Sequence, residues 1–289
     1  MKLKKIIPIR IKIFLKAWLA GKEPNDDFLY RSFTNPIPKI DFNLTKIQNE
    51  ELLSHTARVW KKLGNIEPHW SVLTNPKYTS RNLKKNLKDF DKTGYTSINH
   101  LLGSLHQIGI TEKTLSKSTI MEIGSSVGRV TIPLAEVFGH VIATDISKQH
   151  LKILELNKKE KKLTNITINE ISKIEDFDLI KGFSGLYSVI TLQHNPPPIQ
   201  KAILLITLKN LKPGGFFFFQ TPTFIPNYEF EFKKYLHLAG SQMEMHPMPM
   251  PEISDLLVNM GCTLKMVLRD NWTGRDYDSH TFIGVKNFA

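Results

Sequence analysis

The sequence predicts an α/β fold: a mostly parallel sheet with an antiparallel last strand, preceded by an α-helical N-terminal extension. Three observations predict it. After about residue 118, short β-branched or aromatic runs alternate with helical segments, the pattern of parallel βαβ units with helices on both faces. Before that point apolar residues recur at helical spacing and nothing reads as sheet. At the far end, "TLKMVLRD" and "HTFIGVKN" are joined by a polar link too short for a parallel crossover, so they pair as an antiparallel hairpin at a sheet edge.

In chain order, residues 1–45 read as a basic segment and connector, 46–115 as a helical extension and 116–289 as the α/β domain. Ile47, Leu52, Leu53, Val59, Trp60 and Leu63 form a helical stripe that Gly64 is expected to stop. Leu83, Leu87 and Phe90 predict a second, basic helix. Ile98, Leu101, Leu102, Leu105 and Ile108 predict a third, capped by Thr96 or Ser97. The strands are "TIMEI", "VIATDI", "ITINEI", "LYSVITLQ" and "FFFFQTP", then the closing pair. Helices are expected over 128–138, 148–162, 199–211 and 251–260.

Composition narrows the function. The 289 residues are 41% hydrophobic and 23% charged, as in an ordinary globular protein. The single cysteine, Cys262, excludes a disulfide framework and a thiolate zinc cluster, and a cytoplasmic setting fits best. The net charge of +12 is compatible with an anionic partner, but lysine far outnumbers arginine, which argues against nucleic acid as the main one. Residues 11–20 suit a basic amphipathic helix on the inner face of an anionic membrane, or a segment packed on its own domain. The first twenty residues are too charged for a secretory signal or a membrane span.

The informative stretch is "IMEIGSSVGRVTIPLA", where a strand ends at a carboxylate and a glycine turn opens a helix. Its spacing fits neither G-x-G-x-x-G nor a phosphate loop, and Glu122 would repel a pyrophosphate. A ligand with positive charge near the turn suits it better.

These residues resemble motif I of the class I S-adenosylmethionine-dependent methyltransferases, commonly (D/E)-x-G-x-x-x-G. "IATDIS" resembles the family's second-strand acid, "LYSVITLQHNPPP" the fourth-strand motif of a subgroup with a Q-H-x-P element, and "LKPGGFFFFQTP" its fifth strand. The resemblance spans roughly residues 96–289 and implies a seven-stranded Rossmann-like sheet and S-adenosyl-L-methionine as cofactor. Ser126 departs from the family, many members of which have glycine there.

By this resemblance Gly124, Ser125, Ser126 and Gly128 wall the methionyl part, and Glu122 acts on its ammonium. Asp145 accepts from the ribose hydroxyls, Ile146 lies on adenine, Ser172 reaches the adenine edge and Gln193 completes the cofactor set. The alternatives are that Glu122 caps backbone N–H groups and that Asp145 is a helix N-cap.

His194, at the end of strand four, is the candidate general base for a hydroxyl, or a histidine that orders the turn. "NPPP" suggests either N-methylation of a base or a proline helix start. Trp70 and Tyr78 are the candidate acceptor contacts, or core. "QMEMHPMPMP" reads as a mobile lid rather than a copper site, and Arg275 and Tyr277 as loop residues or acceptor contacts. No histidine spacing resembles a metal site, so a metal-independent reaction is expected. The expected acceptor is a small-molecule, glycan or lipid-linked hydroxyl. An RNA methyltransferase or a non-catalytic S-adenosylmethionine-binding protein are the rivals.

Overall fold

Seven β strands build the main sheet, and in the computed structural model the described residues are 38–238, 243–274 and 277–288. The strands are β1 (Thr119–Ile123), β2 (His140–Asp145), β3 (Ile166–Glu170), β4 (Gly185–Ser188), β5 (Phe216–Phe224), β6 (Cys262–Asp270) and β7 (Asp278–Lys286), in the spatial order β3-β2-β1-β4-β5-β7-β6. β1 to β5 pair in parallel, and β7 runs antiparallel between β5 and β6. The sheet is mostly parallel with an antiparallel last strand, as expected. The expected amphipathic segment at 11–20 and Arg275 lie outside the described residues.

The helices are α1 (Lys46–Ile66), α2 (Pro68–Val72), α3 (Leu83–Gln107), α4 (Glu112–Leu115), α5 (Thr131–Val137), α6 (Lys148–Glu160), α7 (Pro197–Asn210), α8 (Phe232–Leu238) and α9 (Met250–Asn259). α1 starts where a T-x-x-Q capping box dictates. The Gln48 N–H donates to Thr45 Oγ1 at 3.3 Å, and the Thr45 N–H to Gln48 Oε1 at 2.8 Å.

Two layers of core cover the sheet. In β5 the four phenylalanines alternate: Phe217 and Phe219 join the cluster under α1, α7 and α9, while Phe216 and Phe218 join the one under α3 and α5. A strand buried on both faces needs this uninterrupted apolar run. Each such ring contributes about 2–3 kcal/mol by leaving water.

The front end differs from expectation in three places. Gly64 does not stop α1. It lies inside the helix, and a Cβ there would fall 2.5 Å from Ser147 Oγ, so the glycine allows α1 to cross close to the start of α6. The second and third helices are one, α3, which runs through Thr96 and Ser97. The Ser97 hydroxyl donates to Thr93 O at 3.2 Å, a bond back to the preceding turn that satisfies it within the helix, so it does not serve as a cap. A two-residue strand, Lys39–Ile40, also pairs with Glu229–Phe230, apart from the main sheet. Among the described residues no helix is long and apolar enough to cross a membrane.

Candidate active site

The cleft opens at the carboxyl ends of β1, β2 and β4, where an open parallel sheet places its ligand. It encloses about 940 Å³, counting its open mouth. α1 and α2 roof it with Leu53, Trp60, Ser71 and Val72.

The floor is the turn after β1. The Gly124 and Ser125 N–H groups both donate to Thr144 O, at 2.8 and 2.9 Å, which ties the turn to β2. Gly124 has φ +82°, and a Cβ there would lie 2.2 Å from Thr191 Oγ1. Only glycine satisfies both conditions. Ser126 holds a left-handed φ of +48°, the position where glycine would be unstrained. The hydroxyls of Ser125 and Ser126 are buried with no hydrogen-bond partner. Ser125, Ser126 and Gly124 line the cleft, whereas Gly128 (φ +93°) closes the turn from behind, packed against Leu154.

Two carboxylates face the same space. Glu122 is buried and accepts from the Thr131 hydroxyl at 2.5 Å, so it caps a side chain rather than backbone N–H groups. Burial pushes its pKa up to about 7, against the opposing pull of Thr131 and of the Arg129 guanidinium. Asp145 accepts from the Ser147 N–H at 2.7 Å through Oδ1 and from the Ser126 N–H at 2.9 Å through Oδ2. It therefore ties the glycine turn to β2, while the N-cap of α6 is Ser147. Burial raises the Asp145 pKa to about 6, although those backbone donors oppose the rise. Ile146 lies beside it on the cleft wall.

Several residues of the cleft were not legible in the sequence. Arg129, directly after Gly128, is 8% exposed; it donates to Thr93 O at 3.1 Å and Ser97 Oγ at 3.0 Å, and its Nε is buried without a partner. Its place next to the second motif glycine was the available signal. His150 is buried at the cleft wall, with Nε2 at 2.9 Å from the Ser71 hydroxyl. Burial lowers its pKa to about 4, so the ring is neutral. After β4, Val189, Ile190 and Thr191 border the cleft. Ile190 takes φ +56°, rare for a β-branched residue, and its N–H donates to Gln220 Oε1 at 2.9 Å.

Other expected residues lie elsewhere. Ser172 is exposed, and its N–H donates to Asp176 Oδ2 at 2.8 Å; Ile171 and Phe177 line the cleft instead. Gln193 is buried behind the cleft and accepts from Gln220 Nε2 at 3.0 Å. His194 does not border the cleft. It is 9% exposed, its Nδ1 lies 2.8 Å from Glu244 O, and its ring meets Trp60 edge-on at 5.0 Å. Burial lowers its pKa to about 4. Asn195 does line the cleft and donates to Thr191 O at 3.0 Å.

Tyr78 sits in a small core with Phe90 and Val127, and its hydroxyl donates to Asp89 at 3.1 Å. Trp70 lies on the same short helix as Ser71 and Val72, which reach the cleft where it does not; Trp60 is the tryptophan that borders it. The prolines after Asn195 start α7. The methionine segment is not a free lid where it is described. His246 and Met248 are buried, held by bonds from their N–H groups to Gln193 O and Pro222 O. Among the described residues no group of three or more His, Cys, Asp or Glu side chains is placed to hold a metal ion.

Comparison with known proteins agrees with this geometry. A family model described as a methyltransferase domain matches residues 120–215, from β1 to the turn before β5. Magnesium protoporphyrin IX methyltransferase from Synechocystis PCC 6803 with bound SAH superposes with a TM-score of 0.57 at 14% identity, over 81% of this chain and 100% of that one. The N-methyltransferase NodS from Bradyrhizobium japonicum WM9, in complex with S-adenosyl-L-homocysteine, gives 0.54 at 15% identity, over 80% of this chain and 98% of that one. No curated protein matches the sequence. The chain has a methyltransferase fold.

Proposed function

We propose that this protein is an S-adenosylmethionine-dependent methyltransferase acting on a hydroxyl of a small-molecule, glycan or lipid-linked acceptor. The observation that carries the reading is the set of charges that line the cleft around the glycine turn: Glu122, the buried Arg129 guanidinium with its unpartnered Nε, and Asp145 at the end of β2. An ammonium suits Glu122, a carboxylate suits Arg129, and the hydroxyls of a ribose suit Asp145. A zwitterionic amino acid joined to a nucleoside presents those three features. A pyrophosphate would meet two carboxylates. The unpartnered Ser125 and Ser126 hydroxyls supply further donors at the turn.

S-adenosylmethionine, bound there, would supply a methyl group on a positively charged sulfur. The chain's residues do the rest by position. Gly124 and Thr191 pack against each other and set how closely a ligand approaches the strand ends. Ile190, held by Gln220, fixes the loop after β4 that borders the cleft. His194, Gln193 and Gln220 order that loop from behind. With the cofactor bound, the cleft would hold its methyl group in line with an acceptor hydroxyl, whose proton would leave to water as the sulfur kept the electron pair of the broken carbon–sulfur bond.

Calorimetry with S-adenosylmethionine, followed by incubation of the labelled cofactor with fractionated cell extract, tests the reading. Micromolar binding and label in a sugar, lipid or small-molecule fraction are expected. Label in RNA alone, or binding without transfer to any fraction, would contradict it.

A further inference from the structure

A second space adjoins the cleft. It lies between α3 and the β6–β7 end of the sheet and encloses about 980 Å³, counting its open mouth. Tyr187 and Val189 line both it and the cofactor cleft, so the two meet at the end of β4, where a transferred group has to cross. Tyr187 is locked in place by stacking on Phe218, with centroids 5.5 Å apart and planes 13° from parallel.

The side chains around this groove define a chemistry. Asn99, His100 and Gln107 come from α3, and Asn271 and Trp272 from the link after β6. The amides of Asn99, Gln107 and Asn271 each offer donors and an acceptor. Asp270 adds a carboxylate held by the Thr281 hydroxyl at 2.7 Å and by the Trp272 N–H at 3.2 Å. The half-buried indole of Trp272, 6.4 Å from the His100 ring, gives the groove an apolar plane. Among the described lining residues Arg269 is the single lysine or arginine, and it donates to Asp278 at 3.0 Å. Mixed donors and acceptors beside an aromatic face, with the lining arginine already committed to a carboxylate, suit a neutral ring carrying several hydroxyls. They do not suit a phosphate or a flat apolar ligand.

Resting on the methyltransferase reading, we infer that this groove is the acceptor site and that it binds a neutral sugar residue, free or as the headgroup of a glycolipid. Trp272 stacks on the sugar ring, and the amides with Asp270 bind its hydroxyls.

Saturation-transfer NMR tests it with the protein and S-adenosylhomocysteine, the cofactor's own binding being measured separately by calorimetry. The probes are the methyl glycosides of glucose, galactose, mannose and rhamnose and N-acetylglucosamine, the octyl glucoside and galactoside below their micelle concentration, and glucose 6-phosphate and adenosine as controls. At least one neutral sugar is expected to receive saturation on its ring protons. Preference for the octyl over the methyl form identifies the lipid-linked source, and equal signals the free sugar. Trp272→Ala and, independently, the exposed Asn99→Ala are expected to reduce that signal at least fivefold, with S-adenosylhomocysteine affinity within twofold of wild type and an unchanged melting profile. No saturation of any neutral sugar, a signal unaltered in both variants, or a stronger signal from the controls would overturn the proposal. A sugar signal without any cofactor binding would instead overturn the methyltransferase reading.

Discussion

The cofactor cleft and the groove beside it are built differently. In the cleft the glycine turn and the carboxylates beside it are tied together by hydrogen bonds: Gly124 and Ser125 to Thr144, Ser126 and Ser147 to Asp145, Thr131 to Glu122. In the groove the recognising groups include the exposed Asn99, His100, Gln107 and Asn271, on a helix and a link from distant parts of the chain. The first region is held by its own hydrogen bonds, as a site for one fixed ligand would be, whereas the second, if it binds the acceptor as proposed, would owe its specificity to exposed side chains.

That contrast predicts how substitutions divide. The largest effect on cofactor affinity belongs to Gly124→Val, whose Cβ meets the Thr191 side chain in a left-handed backbone. Calorimetry is expected to show a loss of over about 100-fold, of the order of 3 kcal/mol. Retained binding would remove the preorganised turn from the account. Asp145→Ala comes next, with a loss of about 1.5–3 kcal/mol for a charged hydrogen bond, measured in the same titration. Trp272→Ala marks the other half of the contrast and leaves cofactor affinity alone.

Glu122 sharpens the comparison through pH. Because burial raises its pKa to about 7, a cationic ligand meets a carboxylate above that value and a neutral acid below it. Affinity is expected to fall by up to about tenfold per unit as pH drops below 7, and Glu122→Gln to flatten that slope. The ligand-free protein shows the opposite sign. A raised acid stabilises the fold fully below its unfolded pKa and loses that contribution as pH rises through about 7, so Glu122→Gln gains melting temperature over wild type from pH 5 to 8. A parallel shift at both pH values would contradict this.

The smallest effect on cofactor affinity, under about threefold, is expected for His194→Ala. Its cost falls on stability instead, about 1–3 kcal/mol for leaving Glu244 O unsatisfied, read by denaturant unfolding. The turnover of the wild-type enzyme is expected to show no ionisation that depends on His194, since burial holds its pKa near 4. A histidine ionisation that His194→Ala abolishes would restore it as a base.

How much of this was legible follows the same division. The glycine turn, Glu122 and Asp145 lie within one βαβ unit, so order and spacing alone locate them. Trp60, Ser71 and Arg129 reach the cleft through packing between α1, α2, α3 and the sheet, which no local pattern encodes. Ser97 read as a cap because serine suits both a cap and a bond back to the preceding turn, and only the continuing helix decides between them. His194 read as a base because its position after β4 is visible in sequence, while its burial against Glu244 depends on a segment fifty residues away.

The central claim is that the turn between Glu122 and Asp145 holds S-adenosylmethionine. A crystal structure with S-adenosylhomocysteine tests it most directly. The ribose hydroxyls are expected on the Asp145 carboxylate and the amino-acid end beside Glu122 and Arg129. The ligand bound elsewhere, or a phosphorylated nucleotide occupying the same turn in its place, would contradict it.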